Sequence, residues 1–310
     1  MYDLMKSIFL LLFVVSSSLS ANSKPLNEAW LKKDKSNFIN LMEVIQSKSS
    51  DLEFYKKSIH YFDIRKEENI GFGLKRIHGY QSGGYISNSI SILVYQSKVF
   101  YIKVEIEGKA IEKIKILKAR DTQIQKLLDE NWREDAYTLL DSFVVKQLKY
   151  ETLDEKVYFS FKNQVIKRLG SPLALSVNIS LNNEYETLMF PFEQYEFGTA
   201  CGYAGTRPKG RKAIEIIKTQ APVLLKNIIR GYSLEGRVYG VEALLELSNK
   251  GMVKLTKNDI DVIKKVLSLD IPLATCGGCM SYSTNAKQIF QSELYQTLFS
   301  KNKLLIKFNN

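Results

Sequence analysis

Apolar and polar positions along this chain change period several times, and those changes divide it. Residues Ile8 to Val15 (IFLLLFVV) form an unbroken apolar run. Lys6 precedes it, and Ser16-Ser17-Ser18-Leu19-Ser20-Ala21 follows. A short basic start, an apolar middle and a tail of small residues predict a signal peptide over residues 1–21. Cleavage is expected near Ser20 or Ala21, with Ser18 and Ser20, or Leu19 and Ala21, at the −3 and −1 positions. A bilayer-spanning helix needs roughly 20 apolar residues, which this run does not reach. No cysteine near the site offers a lipid anchor, and no later segment is apolar enough to span. The expectation is a periplasmic or secreted protein without a transmembrane span after cleavage.

Beyond the leader, Phe38, Leu41, Met42 and Ile45 repeat at helical spacing within a helix expected from Leu26 to Lys48. A charged, poorly periodic stretch runs through Gly71-Phe72-Gly73. From Gly83-Gly84 the period becomes two. Ile86, Ile90, Ile92 and Val94 oppose Ser87, Ser89 and Ser91, then Phe100, Ile102, Val104 and Ile106 oppose Tyr101, Lys103 and Glu105. A third strand holds Ile114 and Ile116. The short connections Gln96-Ser97-Lys98 and Glu107-Gly108-Lys109 predict an antiparallel meander with one wet face.

The helical period then returns. Helices are expected over Asp121–Asn131, over Glu134–Tyr150 on the stripe Ala136, Leu139, Leu140, Phe143, Val144 and Leu148, and over Val157–Leu169, stopped by Gly170 and Pro172. Leu175, Val177, Ile179 and Leu181 alternate again. With a turn at Asn182-Asn183, they predict a hairpin running to Phe192. From Gly210 the chain reads as helical: Lys212–Arg230, broken or kinked at Pro222; Ser233 as N-cap to Asn249, with Gly251 beyond; and a helix opened by the capping box Thr256-Lys257-Asn258-Asp259.

In the middle helix Arg237, Gly240, Ala243, Leu244 and Leu247 stand at the spacing R-x-x-G-x-x-A-L-x-x-L. That resembles the second helix of a HEAT-type repeat, where a small residue lets neighbouring helices approach. The resemblance covers residues 212–270, one unit, where a solenoid needs about three or more. It implies helical-hairpin packing and an interaction surface, and it brings no catalytic residues. An ordinary amphipathic helix with a small-residue contact has the same pattern.

Charge alters this picture. The net charge is +11, and the leader adds nothing because Asp3 cancels Lys6. About 290 mature residues, from a full chain of 45% hydrophobic content, give one large or two smaller globular domains. Lysines are spread along the chain, as on a solvated face, with two denser groups. The first is Lys109, Lys113, Lys115, Lys118 and Arg120. The second is Arg207, Lys209, Arg211 and Lys212, the candidate anion-binding residues. Outside the cytoplasm such charge suits an anionic envelope component or a partner protein. No specific nucleic-acid contact is predicted.

The chemistry-bearing residues are few. Cys201, Cys276 and Cys279 are the only cysteines, all expected in loops. In an exported chain the default is a structural disulfide. A long bridge from Cys201 to Cys276 or Cys279 restricts the unfolded chain by roughly 4–5 kcal/mol, against roughly 2 for a Cys276–Cys279 ring. Thiol exchange through C-x-x-C, or zinc held by three thiolates and a ligand from elsewhere, are the sharper alternatives. Gly205 to Lys212 keeps the G-x-x-x-x-G spacing of a phosphate loop but has Arg211 where Lys belongs and Lys212 where Ser or Thr belongs, so only a milder anion site at a helix start remains. There is no G-x-S-x-G and no H-E-x-x-H, and a nucleophile would need His60 or His78 as its base. A carboxylate pair leaves no local signature, so no catalytic residue is assigned. No cofactor or metal is predicted.

The reading is an α+β protein, with a helix and antiparallel meander over residues 22–120 and a mainly helical region with one hairpin over 121–310. Its expected role is non-enzymatic binding in the envelope or extracellular space. An extracytoplasmic hydrolase is the alternative, followed by a redox or zinc role for the three cysteines.

Overall fold

The computed structural model describes residues 28–84, 87–106, 149–173, 179–202 and 204–301. The leader, the first basic group, the strand at Ile114 and Ile116 and the helix at Asp121–Asn131 lie outside them.

An α+β architecture is what these residues build. Helix α1 (Glu28–Gln46) and helix α2 (Leu52–Ser58) precede strands β1 (Phe62–Gly71), β2 (Leu74–Gln81), β3 (Asn88–Tyr95), β4 (Lys98–Ile106) and β5 (Lys149–Leu153). The five strands form one antiparallel sheet in sequential order. Two of its turns are two-residue connections with both central residues left-handed: Phe72-Gly73 at φ 54° and 79°, and Gln96-Ser97 at φ 49° and 65°. Such turns match the twist of the strands they join.

The meander foreseen from Gly83 onward is the centre of a larger sheet. Strand β1 escapes a periodicity reading because Arg65, Lys66, Glu67 and Glu68 crowd its middle, and as an edge strand it tolerates them. Lys149 and Tyr150, expected to end a helix, pair in β5 with Glu105 and Val104.

One face of the sheet carries Ile77, Ile90, Ile92, Val94, Val99, Ile102 and Val104. It packs on Leu41, Val44 and Ile45 of α1 and Tyr55 of α2. The other face is wet only in part: Ser89, Ser91, His78 and Tyr80 stay half-buried. Leu74, Leu93, Tyr95, Phe100 and Tyr101 join the core of the C-terminal half, where helix α3 (Glu155–Leu169) contributes Phe161 and Val165. A register shift helps: Leu93 pairs with Tyr101 and Val94 with Val99, leaving Phe100 as an extra residue. The bulge puts Phe100 and Tyr101 both in this second core instead of on opposite faces.

The hairpin expected across Asn182-Asn183 is instead a 3₁₀ turn (Ile179–Leu181) and helix α4 (Asn182–Met189). Leu175 and Val177 lie outside the described residues. Tyr185, Leu188 and Met189 stand at i, i+3, i+4, and Leu188 is fully buried. The Asn182 amide donates to the Glu186 carboxylate at 2.8 Å, a one-turn bond within the helix.

The remaining helices are α5 (Lys209–Gln220), α6 (Leu225–Ile228) after a 3₁₀ turn at Pro222–Leu224, α7 (Leu234–Asn249) and α8 (Lys257–Leu267). Then come strands β6 (Pro272–Gly277) and β7 (Met280–Asn285), and helices α9 (Ala286–Phe290) and α10 (Glu293–Lys301). Ser233 caps α7 and Thr256 with Asp259 forms a reciprocal capping box on α8. Helix α7 is buried nearly all round, Glu235 and Arg237 included, so it is the hub of the helical half. Gly236 makes that possible: a Cβ there would fall within 1.8 Å of the Leu188 carbonyl oxygen of α4.

Candidate functional site

The cysteines and the second basic group, treated separately in the sequence, meet at one corner. Phe197 lies beside β6: its N–H donates to the Ala274 carbonyl at 2.8 Å, and the Cys276 N–H donates to its carbonyl at 3.0 Å. A tight loop follows, closed by two bonds between Cys201 and Thr206 of 2.8 and 2.9 Å. Gly202 donates to the Gly278 carbonyl at 2.6 Å and Gly278 to the Ala200 carbonyl at 3.2 Å. These contacts bring Cys201 and Cys276 to a Cα separation of 5.4 Å, where they form a disulfide. Of the two long bridges considered, this one is present.

Cys276-Gly277-Gly278-Cys279 is not a free loop. It is the turn of the β6–β7 hairpin, with Gly277 paired to Met280. Gly278, at φ 58°, adopts the left-handed conformation of that turn. Cys279 is an exposed free thiol.

Thr206 leads directly into the basic group, which the structure divides. Arg207 and Lys212 are exposed, the second in the first turn of α5. Lys209 is exposed but pairs with Glu193 at 3.0 Å. Arg211 turns inward: it is 8% exposed, pairs with Glu242 at 2.8 Å, donates through Nε to the Gly198 carbonyl at 3.0 Å and stacks over Tyr239. Burial works against its charge, but the Glu242 carboxylate more than offsets this and raises its pKa. Tyr295 donates to the other oxygen of Glu242 at 2.9 Å, and burial followed by the Glu242 charge drives that phenol's pKa well up. Arg211 therefore anchors α5 and is spent internally. Of the four candidate cations, Arg207 and Lys212 face solvent, Lys209 does so within its pair with Glu193, and Arg211 does not.

Three residues that no local pattern signalled complete the corner. Tyr239 donates to the Glu196 carbonyl at 2.9 Å and accepts the Gly198 N–H at 2.9 Å, fixing the backbone from Glu196 to Gly198. Burial pushes its pKa up to about 12, so it remains a protonated donor at neutral pH. Gly198 is required by close approach, since a Cβ there would sit 2.5 Å from the Cys276 carbonyl oxygen and 2.8 Å from its sulfur. Glu196 places a carboxylate oxygen within 4.8 Å of both bridge sulfurs.

Elsewhere a cleft of about 380 Å³ opens between Lys48, Tyr55, Val99 and β5, with Glu151 and Asp154 on its wall. Asp154 caps α3, accepting the N–H groups of Lys156 and Val157 at 3.0 and 3.2 Å. Its carboxylate is thus committed to the helix start. His78 faces its cross-strand neighbour Ser91, Nδ1 to Oγ 3.3 Å, and burial lowers its pKa. His60 is exposed. Among the described residues, no helix is long and apolar enough to cross a membrane.

The fold and the corner define an α+β protein with a disulfide-clamped basic loop. Searches against family models, curated proteins and solved structures find no match for the chain.

Proposed function

We propose that this chain is an exported, non-enzymatic binding protein whose clamped basic corner contacts an anionic component of the cell envelope. The single observation that carries the reading is the Cys201–Cys276 bridge at the base of the loop that presents Arg207. Such bridges form and persist in oxidising compartments, which fits the leader read over residues 1–21. A clamped loop also loses less conformational freedom on binding than a mobile one. The net charge of +11 draws anions toward the surface from beyond contact distance. Arg207 and Lys212 supply the local contact.

The test is co-sedimentation of the purified mature chain with phosphatidylglycerol-containing vesicles and with phosphatidylcholine vesicles. Binding to the anionic vesicles alone, weakened by added salt and by Arg207→Glu with Lys212→Glu, is the expected outcome. No binding at low salt, or binding indifferent to salt, overturns the proposal. Fractionation of cells expressing the full chain tests the compartment separately. The HEAT-type reading of residues 212–270, with its helical-hairpin packing and interaction surface, belongs to the same proposal. Gly240, where a Cβ would come within 2.9 Å of Ile228 in α6, supports it.

A further inference from the structure

The anion contact leaves unused a set of ligand-bearing side chains at the same corner. A carboxylate oxygen of Glu196 and the sulfurs of Cys201 and Cys276 lie within 4.8 Å of one another. They come from three separate places in the fold: the strand-like approach at 196–198, the loop closed by Thr206, and β6. Zinc takes sulfur at about 2.3 Å and carboxylate oxygen at about 2.0–2.2 Å, with three protein ligands and an open position in accessible sites. Glu196 and Cys201 are partly exposed, so an ion can reach the cluster from solvent, while Cys276 is buried behind it. The backbone bearing Glu196 is held by Tyr239 below and β6 beside it, and Gly198 leaves room for the Cys276 sulfur. Ligands fixed in this way lose little freedom when an ion arrives.

We propose that reduction of the Cys201–Cys276 bridge turns this corner into a site for a thiophilic divalent cation, held by Cys201, Cys276 and Glu196. The exchange balances. A dithiol reductant gives two electrons and two protons, becomes a disulfide itself, and leaves Cys201 and Cys276 as thiols. The incoming ion displaces those two protons, so two thiolates and one carboxylate face it. Exchange with an external disulfide closes the cycle: that disulfide takes the two electrons and two protons, leaves as two thiols, and the re-formed Cys201–Cys276 bridge no longer offers thiolates, so the ion is released. The corner is thus an alternative between a covalent clamp and a metal clamp across the same two residues. The inference does not depend on the anion contact.

The test uses the full mature chain carrying Cys279→Ser, so that the exposed thiol supplies no sulfur signal. Half is kept oxidised. The rest is reduced with a phosphine, freed of it without air, and both are titrated with Co²⁺ as a spectroscopic stand-in for zinc, with far-ultraviolet circular dichroism reporting the fold. A saturable sulfur-to-cobalt charge-transfer band at one ion per chain is expected in the reduced sample alone. Glu196→Gln, which leaves the bridge able to form, should weaken Co²⁺ binding by roughly tenfold or more. Cys276→Ser should abolish the band. A folded, reduced chain without the band, equal binding by the oxidised chain, or unchanged affinity in Glu196→Gln overturns the proposal. So does a reduced chain that unfolds and is not restored by Co²⁺.

Discussion

Arg76 of β2 donates to Glu235 of α7 at 3.0 Å, with both side chains about 3% exposed. The second guanidinium nitrogen donates to the Pro191 and Glu193 carbonyls at 3.2 and 3.3 Å. This is the charged joint between sheet and helical hub. Removing one partner of such a pair leaves the other buried and uncompensated, at a cost of about 3–5 kcal/mol. Arg76→Met should lower the unfolding free energy by that order in urea titrations. Arg76→Met with Glu235→Met should cost clearly less than Arg76→Met alone, and a double variant no better than the single would show the pair itself to be strongly stabilising.

The disulfide spans 75 residues. On the loop-entropy model its loss raises the freedom of the unfolded chain by roughly 4–5 kcal/mol. Cys201→Ser is expected to shift the urea midpoint well down, and a reducing agent should do the same to the unaltered chain but not to the variant.

The Asp259 carboxylate accepts from the Thr256 N–H and hydroxyl and pairs with Lys226 and Arg230, both at 3.0 Å. Burial alone would raise its pKa. The Thr256 donors and the two cations outweigh that and bring it from 3.8 to about 2. A carboxyl depressed on folding stabilises the native state above its unfolded pKa, and the contribution fades as pH falls through the folded value. Stability should therefore drop as pH falls from about 4 to about 2. Denaturation across that range should show a smaller drop in Asp259→Asn.

Gly236→Ala puts a methyl group into the Leu188 carbonyl. Helices α4 and α7 must then separate, and a loss of about 3 kcal/mol is expected from overpacking at backbone that cannot yield. Thermal melts of this variant beside Gly251→Ala, whose position is open but left-handed at φ 72°, separate crowding from backbone strain.

Local signals proved the readable ones. Gly170 after α3, Ser233 before α7 and the Thr256–Asp259 box each act within one turn of chain, so neighbouring residues suffice to see them. The cysteines likewise narrowed to a few pairings that the structure resolves. What stayed hidden depends on distant partners. Arg211 looks like a ligand-facing cation until Glu242 and Tyr239, on another helix, take it inward. The serine face of β3 looks wet until α3 covers its neighbours Leu93 and Tyr95. Glu196 is one carboxylate among many, and only the fold brings it to the sulfurs. Strand β1 is masked by edge charges, and α4 by an Asn-Asn pair that equally suits a turn.

Apolar positions on both faces of the sheet are covered, one face by α1 and α2 and the other by the C-terminal half. A cut near residue 120 would keep the interior between α1, α2 and the sheet but would open the core on the sheet's other face. A piece ending there would expose Leu93, Tyr95, Phe100 and Tyr101 as a greasy plate, an invitation to aggregate. The two halves should therefore melt in one cooperative transition, and neither should survive alone.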